Sequence, residues 1–390
     1  MKTFELIATT TFGIESVVKR EIEDLGYDII EVNDGKITYI GDVEAIVLSN
    51  LWLRSADRVF IKMGQFKTVT FSDLFDNVTN LPWENWITKD AKFTVNGKSV
   101  KSDLFSISDC QAIVKKAIVK RLQTVHDVEW FEETGPRYTV EVSILKNIAT
   151  LTIDTTGSEG LHKRGYRVAQ TEAPIKETLA AALIQISYWK KGRIFYDPCC
   201  GSGTFAIEAA LIAKNIAPGL YRSFASCRWP QIPLSLWEDL REEAREMISQ
   251  KGNPIIYASD INRNIILSAK RNAEAAGVSE YITFFAKPLH TTSLPHGDFG
   301  IVICNPPYAE RISELPQVEK LHRDLRKLLD SNPTWSCYTI TAVNTFEQDF
   351  GKKANKTRKL FNGRISVRFY QHYGPRPPKD GENFKPVEIV

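Results

Sequence analysis

The sequence predicts a two-part α/β chain, with a mixed α+β N-terminal half and a C-terminal half built on a parallel sheet covered by helices on both faces. Three observations predict it. Short alternating strands and amphipathic helices fill roughly the first 155 residues. From Gly160 onward, short continuous apolar runs alternate with helical segments, the pattern of strands buried on both sides. The full length of 390 residues exceeds what one ordinary core organises, so two or three domains are expected.

Composition narrows the class. Hydrophobic residues make up 43% and charged residues 25%, a globular balance. No apolar run approaches the roughly 18 residues that span a bilayer, and the opening residues lack a secretory apolar core, so the expected address is the cytoplasm. Six cysteines are scattered with no C-x-x-C pair, and the six histidines show no ligand spacing, so no metal site is expected. Reduced, mostly buried thiols are the expectation. A net charge of +3 neither demands nor excludes nucleic acid.

Taken in order, Phe4–Ala8 reads as a strand. Ile14, Val17, Val18, Ile22 and Leu25 recur at helical spacing, with Gly26 as a stop. Lys36–Ile40 is a second strand, a helix near Val43–Leu53 follows, and another strand lies near Val59–Met63. Split β-α-β units of this kind suggest a ferredoxin-like module over residues 1–64. In the next block, residues 65–160, Ser108-Asp109-Cys110-Gln111 has a capping-box pattern. The helix it opens turns Ile113, Val114, Ala117 and Ile118 inward, with Lys115 and Lys116 largely elsewhere, as a solvated face or a phosphate contact. Tyr138–Ile144 and Ile148–Ile153 form a hairpin around a short turn. From residue 161 to 390, strands are expected near Ile194–Tyr196, Ile255–Ala258 and Phe299–Cys304.

The first of these strands runs into Asp197-Pro198-Cys199-Cys200-Gly201-Ser202-Gly203-Thr204-Phe205 and then a helix. Glycines let the backbone turn sharply against a ligand, and the helix N-terminus offers free N–H groups. Gly201-x-Gly203-x-x-Ala206 also fits the dinucleotide fingerprint, but the next acid after a strand, Asp260, comes about 60 residues later rather than the roughly 20 of an NAD unit. Asp197 is instead placed to hold the cationic methionine end of S-adenosylmethionine (SAM), and Asp260 to accept both ribose hydroxyls.

Asn305-Pro306-Pro307-Tyr308 follows an apolar strand about 100 residues beyond the glycine turn. Prolines cannot continue a ladder, so the chain leaves the sheet at its C-terminal edge, where open α/β sheets bind ligands. An exocyclic base amine is a poor nucleophile because its lone pair is delocalised into the ring. The Asn305 side-chain oxygen and the Pro306 carbonyl can each accept one N–H and aim the lone pair at a methyl donor. Tyr308 can stack on a base swung out of its strand. Positioning then carries much of the rate.

These motifs, with Leu161–Arg167, Ala173–Ala180, Asn305–Arg311 and Phe350–Ala354, resemble the THUMP-containing class I SAM-dependent RNA methyltransferases. Within them the chain is most similar to the bacterial 23S rRNA guanine-N2 group, often labelled as candidate N6-adenine-specific DNA methylases. The resemblance implies a ferredoxin-like domain over 1–64, a THUMP RNA-binding domain over 65–160 and a Rossmann-like, seven-stranded methyltransferase domain over 161–390. It implies that Asp197, Pro198, Cys200, Gly201, Ser202, Gly203, Thr204, Phe205, Asp260, Ile261 and Thr178 hold SAM, and that Asn305, Pro306, Pro307 and Tyr308 hold the target amine. Two departures stand out. Ala309 replaces the usual glycine, and Phe284-Phe285-Ala286-Lys287-Pro288 lacks the acid that many SAM enzymes set beside the adenine amine. The long segment Ala213–Gly252, with Arg222, Phe224, Arg228 and Trp229, is either part of the substrate mouth or a packing insert.

From Gly351 to Pro378 there are eight Lys or Arg and no acid, with aromatics interleaved and an Asn362-Gly363 hairpin turn. Lys352, Lys353, Lys356 and Arg358 are expected to track RNA phosphates, with Lys115, Lys116, Lys163 and Arg164 adding to the basic surface. The rival readings are a DNA adenine-N6 methyltransferase, which would need a DNA-recognition domain, and a non-catalytic RNA-binding ribosome assembly factor. The sequence leaves oligomeric state open.

Overall fold

A computed structural model describes residues 3–169, 174–308 and 315–378. Ala173 and Ala309–Arg311, which figure in the resemblance above, lie outside the described residues. The described chain divides into two compact units. Among the described residues, the first comprises 3–10, 18–161 and 219–243, and the second comprises 11–17, 162–169, 174–218, 244–308 and 315–378.

The first unit carries β1 (Phe4–Thr9), α1 (Glu15–Asp24, shared with the second unit), β2 (Ile29–Asn33), β3 (Lys36–Gly41), α2 (Val43–Trp52), β4 (Arg58–Lys67), α3 (Phe71–Thr79), β5 (Lys92–Val100), α4 (Ile107–His126), β6 (Arg137–Leu145) and β7 (Ile148–Asp154). Its seven strands form one sheet in the order β2-β3-β1-β4-β7-β6-β5. The first four have the antiparallel ferredoxin-like arrangement read from the split β-α-β units. Strands β2 and β5 are not legible in the sequence. The burial of β2 follows no clean two-residue period, and Asn96, Gly97 and Lys98 interrupt β5. The capping box at Ser108 is a misreading, because α4 begins at Ile107 with Ser106 at its N-cap and no side-chain cap bond. The reciprocal box forms one helix earlier, between Thr70 and Asp73.

The second unit continues with α5 (Glu177–Ile186), β8 (Phe195–Asp197), α6 (Thr204–Ala213), α7 (Leu234–Glu246, mostly in the first unit), β9 (Ile256–Asp260), α8 (Arg263–Ala275), β10 (Ile282–Ala286), β11 (Ile301–Cys304), α9 (Leu315–Asp330), β12 (Ser336–Thr341), α10 (Phe346–Phe350), β13 (Lys356–Asn362) and β14 (Ile365–His372). The sheet order is β10-β9-β8-β11-β12-β14-β13. The strands from β10 to β12 run parallel, and the β13–β14 hairpin closes the sheet antiparallel. Asn362 pairs with Ile365, so the turn is Gly363-Arg364, one residue later than expected, with Gly363 taking the positive φ of 62°. The chain steps outward from β8 to β10, then returns to place β11 on the other side of β8. That reversal is the switch point where an open α/β sheet leaves a crevice at its carboxyl edge.

Residues 219–243 settle the long insert. Trp229 is buried and stacks on Tyr138 with ring centroids 4.6 Å apart, and Phe224 stacks on Trp237. Arg222 donates to the carbonyls of Glu159 and Leu161, while Arg228 is exposed. Arg222, Phe224 and Trp229 are thus packing partners within the first unit, and for these three the substrate-mouth reading is corrected.

Candidate active site

The crevice between β8 and β11 opens into a cavity of about 1240 Å³. A site for one small ligand typically encloses ~300–1,000 Å³, so there is room for two. Its floor is the turn after β8. Asp197 ends that strand 1% exposed and accepts the Cys199 N–H at 3.1 Å. Gly201 and Gly203 adopt φ of 50° and 84°, which bends the chain from the strand into α6 at no steric cost. The Cys200 N–H bonds the Ser259 carbonyl at 2.9 Å, and the Gly201 N–H bonds Asp260 Oδ2 at 3.1 Å. The β8 turn and the end of β9 are thereby tied together. Asp260 Oδ1 also accepts the Asn262 N–H at 2.9 Å.

The turn after β11 lines the same cavity with Asn305, Pro306, Pro307 and Tyr308. Pro306 is buried, while Asn305 and Tyr308 are half-buried. The Tyr308 hydroxyl donates to Asn305 Oδ1 at 2.6 Å, which turns the carbonyl end of that amide toward the tyrosine. Further walls come from Pro174 and Ile175, from Ile261 to Ser268, from Pro288 to His290, and from α9.

Of the residues expected to hold a cofactor, Asp197, Pro198, Cys200, Gly201, Ser202, Thr204, Phe205, Asp260 and Ile261 line this cavity. Two do not. Thr178 is fully buried within α5, and Pro174 and Ile175 face the cavity in its place. Gly203 shapes the turn instead, and a Cβ on it would sit 3.1 Å from that of Ala269. The sequence reading missed Cys199, Asn262, His290 and the α9 residues Gln317, Lys320, Leu321 and Asp324. The i, i+3, i+4, i+7 spacing of the α9 residues was the available signal, but it marks a helix face without saying what covers it.

Burial acts in the same direction on the Asp197 carboxyl and on the two neighbouring thiols. Burial, followed by the nearby Asp260 charge, pushes the Asp197 carboxyl well above the usual carboxylate range. Burial also pushes up the thiols of Cys199 and Cys200, with the Asp197 charge adding to it. These cysteines stay protonated and are poor nucleophiles.

Residues 164–371 match the RMKL-like methyltransferase domain family, residues 5–60 the RlmL ferredoxin-like domain and residues 69–154 the THUMP domain. The chain belongs to the THUMP-containing, RMKL-like RNA methyltransferases. It is 47% identical over 383 residues to YpsC of Bacillus subtilis, described as a candidate RNA methyltransferase, covering 97% of this chain and 98% of that protein. A Listeria monocytogenes protein described as a predicted N6-adenine-specific DNA methylase is 47% identical, with a TM-score of 0.91 over 96% of this chain and 97% of that one. The methyltransferase candidate SMU.472, solved in complex with S-adenosylhomocysteine (SAH), is 42% identical, with a TM-score of 0.91 over 97% of this chain and all of that one.

Methyltransferases of this family use SAM, and the residues present fit it. Asp197 is a buried carboxylate for which no ion pair is found among the described residues, and SAM brings a cationic amine. Asp260 spends one lone pair of each oxygen on a backbone N–H, which fixes the carboxylate while leaving the other lone pairs for hydroxyls.

The basic residues separate into two groups. Lys163, Lys352, Lys353 and Lys356 are exposed, as are Lys115 and Lys116, which lie over Phe93 and Phe75. Arg164 is a correction. Its side chain is 2% exposed, and Nε lies 3.4 Å from Glu208 Oε1, which also accepts the Tyr166 hydroxyl at 3.0 Å. A guanidinium committed to a buried carboxylate cannot reach a phosphate. Arg358 is half-buried and donates to the Gly13 carbonyl at 3.3 Å.

Proposed function

We propose that this methyltransferase modifies N2 of a guanine in 23S rRNA, with Asp197 and Asp260 holding SAM and Asn305–Tyr308 holding the target base. The observation that carries the reading is that the β8 and β11 turns face one cavity large enough for two ligands. SAM, when bound, supplies an electrophilic methyl group. Asn305 Oδ1 and the Pro306 carbonyl each accept one N–H of the exocyclic amine and orient its lone pair. The Tyr308 hydroxyl occupies that same Asn305 oxygen, so it holds the amide in the accepting orientation until a base takes the position. The tyrosine ring can then stack on the base. No side-chain base is needed, because the methylated amine is acidic enough to release its proton after transfer.

The matched THUMP and ferredoxin-like domains support RNA over DNA, and the resemblance to the guanine-N2 group supports the choice of base. We assign residues 1–64, 65–160 and 161–390 to the three domains on the same grounds. Exposed Lys163, Lys352, Lys353 and Lys356 would follow the phosphates of the substrate, with Lys115 and Lys116 contributing from the other unit. A cytoplasmic site of action accords with an rRNA substrate.

The test is mass spectrometry of 23S rRNA nucleosides from cells with the gene, without it, and complemented with Asn305→Ala. N2-methylguanosine at one site should vanish with the gene and stay absent with Asn305→Ala. An unchanged nucleoside profile on deletion refutes the guanine assignment. Loss of N6-methyladenosine in DNA instead supports the rival enzyme.

A further inference from the structure

Three carboxylates line the described cavity: Asp197, Asp260 and Asp324. The first two end β8 and β9. The third comes from α9, which turns Gln317, Lys320, Leu321 and Asp324 toward the cavity along one face. Asp324 is 7% exposed. It meets Lys327 Nζ at 3.4 Å, from a side chain 77% exposed, and an ion pair to so solvated a lysine contributes little. An almost buried carboxylate facing a ligand cavity calls for a hydrogen-bond donor from the ligand.

The position of α9 indicates which donor. Leu325 and Leu328 share one apolar cluster with Leu289, and Leu321 packs against it. Leu289 and His290 belong to the turn after β10 and line the cavity. Strand β10 lies beside β9, whose end carries Asp260. If Asp260 takes the ribose, the attached base extends toward the β10 turn and α9. The residues directly after β10, Lys287-Pro288, offer no acid.

We propose that Asp324 reads the adenine amine of SAM, replacing from α9 the acid that is absent after β10. This rests on the reading of the cavity as the SAM site. A carboxylate only accepts, so it favours a 6-amino purine, which donates, over a 6-oxo purine, whose oxygen it repels. Asp324 is thus a cofactor-specificity residue, separate from the residues that orient the target amine.

The experiment is calorimetry on the full chain with SAH and with S-inosylhomocysteine, which carries an oxygen in place of the amine and a proton on N1. No RNA is present, so the readout is independent of catalysis. The wild type should prefer SAH by roughly ten- to a hundred-fold, the range for one hydrogen bond to a charged group. Asp324→Asn, whose amide can also donate, should bring the two affinities close together. A wild-type ratio near one overturns the proposal without any variant. So does a folded Asp324→Asn protein that keeps the wild-type ratio. Failure of the wild type to bind SAH at all sinks the cofactor-site reading itself, a distinguishable result.

Discussion

Replacing Asp197 by Asn should move stability and cofactor affinity in opposite directions. The carboxyl is buried, burial raises its pKa well above the ordinary value, and the Asp260 charge adds to that rise. A carboxyl whose folded pKa exceeds its unfolded one contributes stability only while protonated, and that contribution is lost as pH rises through the folded pKa. Ionised Asp197 therefore destabilises the ligand-free protein as pH rises through its raised folded pKa. Asn keeps the shape and can still accept the Cys199 N–H without carrying the charge. The ligand-free variant should gain on the order of 1–3 kcal/mol, the cost of an unsatisfied buried group. That corresponds to about 2–4 °C in Tm per kcal/mol for a domain of this size. SAH should lose a charge-assisted bond of about 1.5–3 kcal/mol, so its Kd should rise roughly ten- to a hundred-fold. Wild-type SAH affinity should also strengthen as pH rises through the raised pKa, and the Asn variant should lose that component. Thermal melts and calorimetry as a function of pH check both halves. A variant that is less stable and binds SAH as tightly as the wild type would refute the reasoning.

Arg164→Ala should destabilise by about 3–5 kcal/mol, because it strands buried Glu208, whereas Lys163→Ala should leave denaturation unchanged and weaken RNA binding. Equal effects of the two on RNA affinity with no change in stability would contradict the burial of Arg164. Trp229→Ala should cost about 3–5 kcal/mol in urea denaturation through loss of its stack on Tyr138, and a loss under about 1 kcal/mol would show that residues 219–243 are a loose insert. Charge reversal at Lys352, Lys353 and Lys356 should flatten the salt dependence of RNA binding by nearly one unit of slope for each phosphate no longer neutralised. A slope equal to the wild type would remove these three lysines from the proposed RNA contacts.

Much of the catalytic half was legible because its signals are local. A proline cannot donate to a ladder, so Asn305-Pro306-Pro307-Tyr308 had to leave the sheet after β11. Gly201 and Gly203 permit the positive φ of the β8 turn whatever surrounds them. The β13–β14 hairpin was readable for the same reason, though its turn sits one residue later because Asn362 is paired in the strand. Strands β2 and β5 were not readable: the burial of β2 follows no two-residue period although it forms a tight hairpin with β3, and β5 pairs with β6, far along the chain.

By itself, then, the sequence determined where the chain turns out of the sheet after β8 and β11, because backbone sterics depend on residue type within a few positions. Tertiary structure alone decided that those turns share a cavity, that Arg164 is spent on Glu208, that residues 219–243 pack within the first unit, and that Asp324 faces the ligand space. Each of these depends on strand order and packing between residues far apart in the chain. Charge and hydrophobicity read along a sequence do not record who the neighbour is.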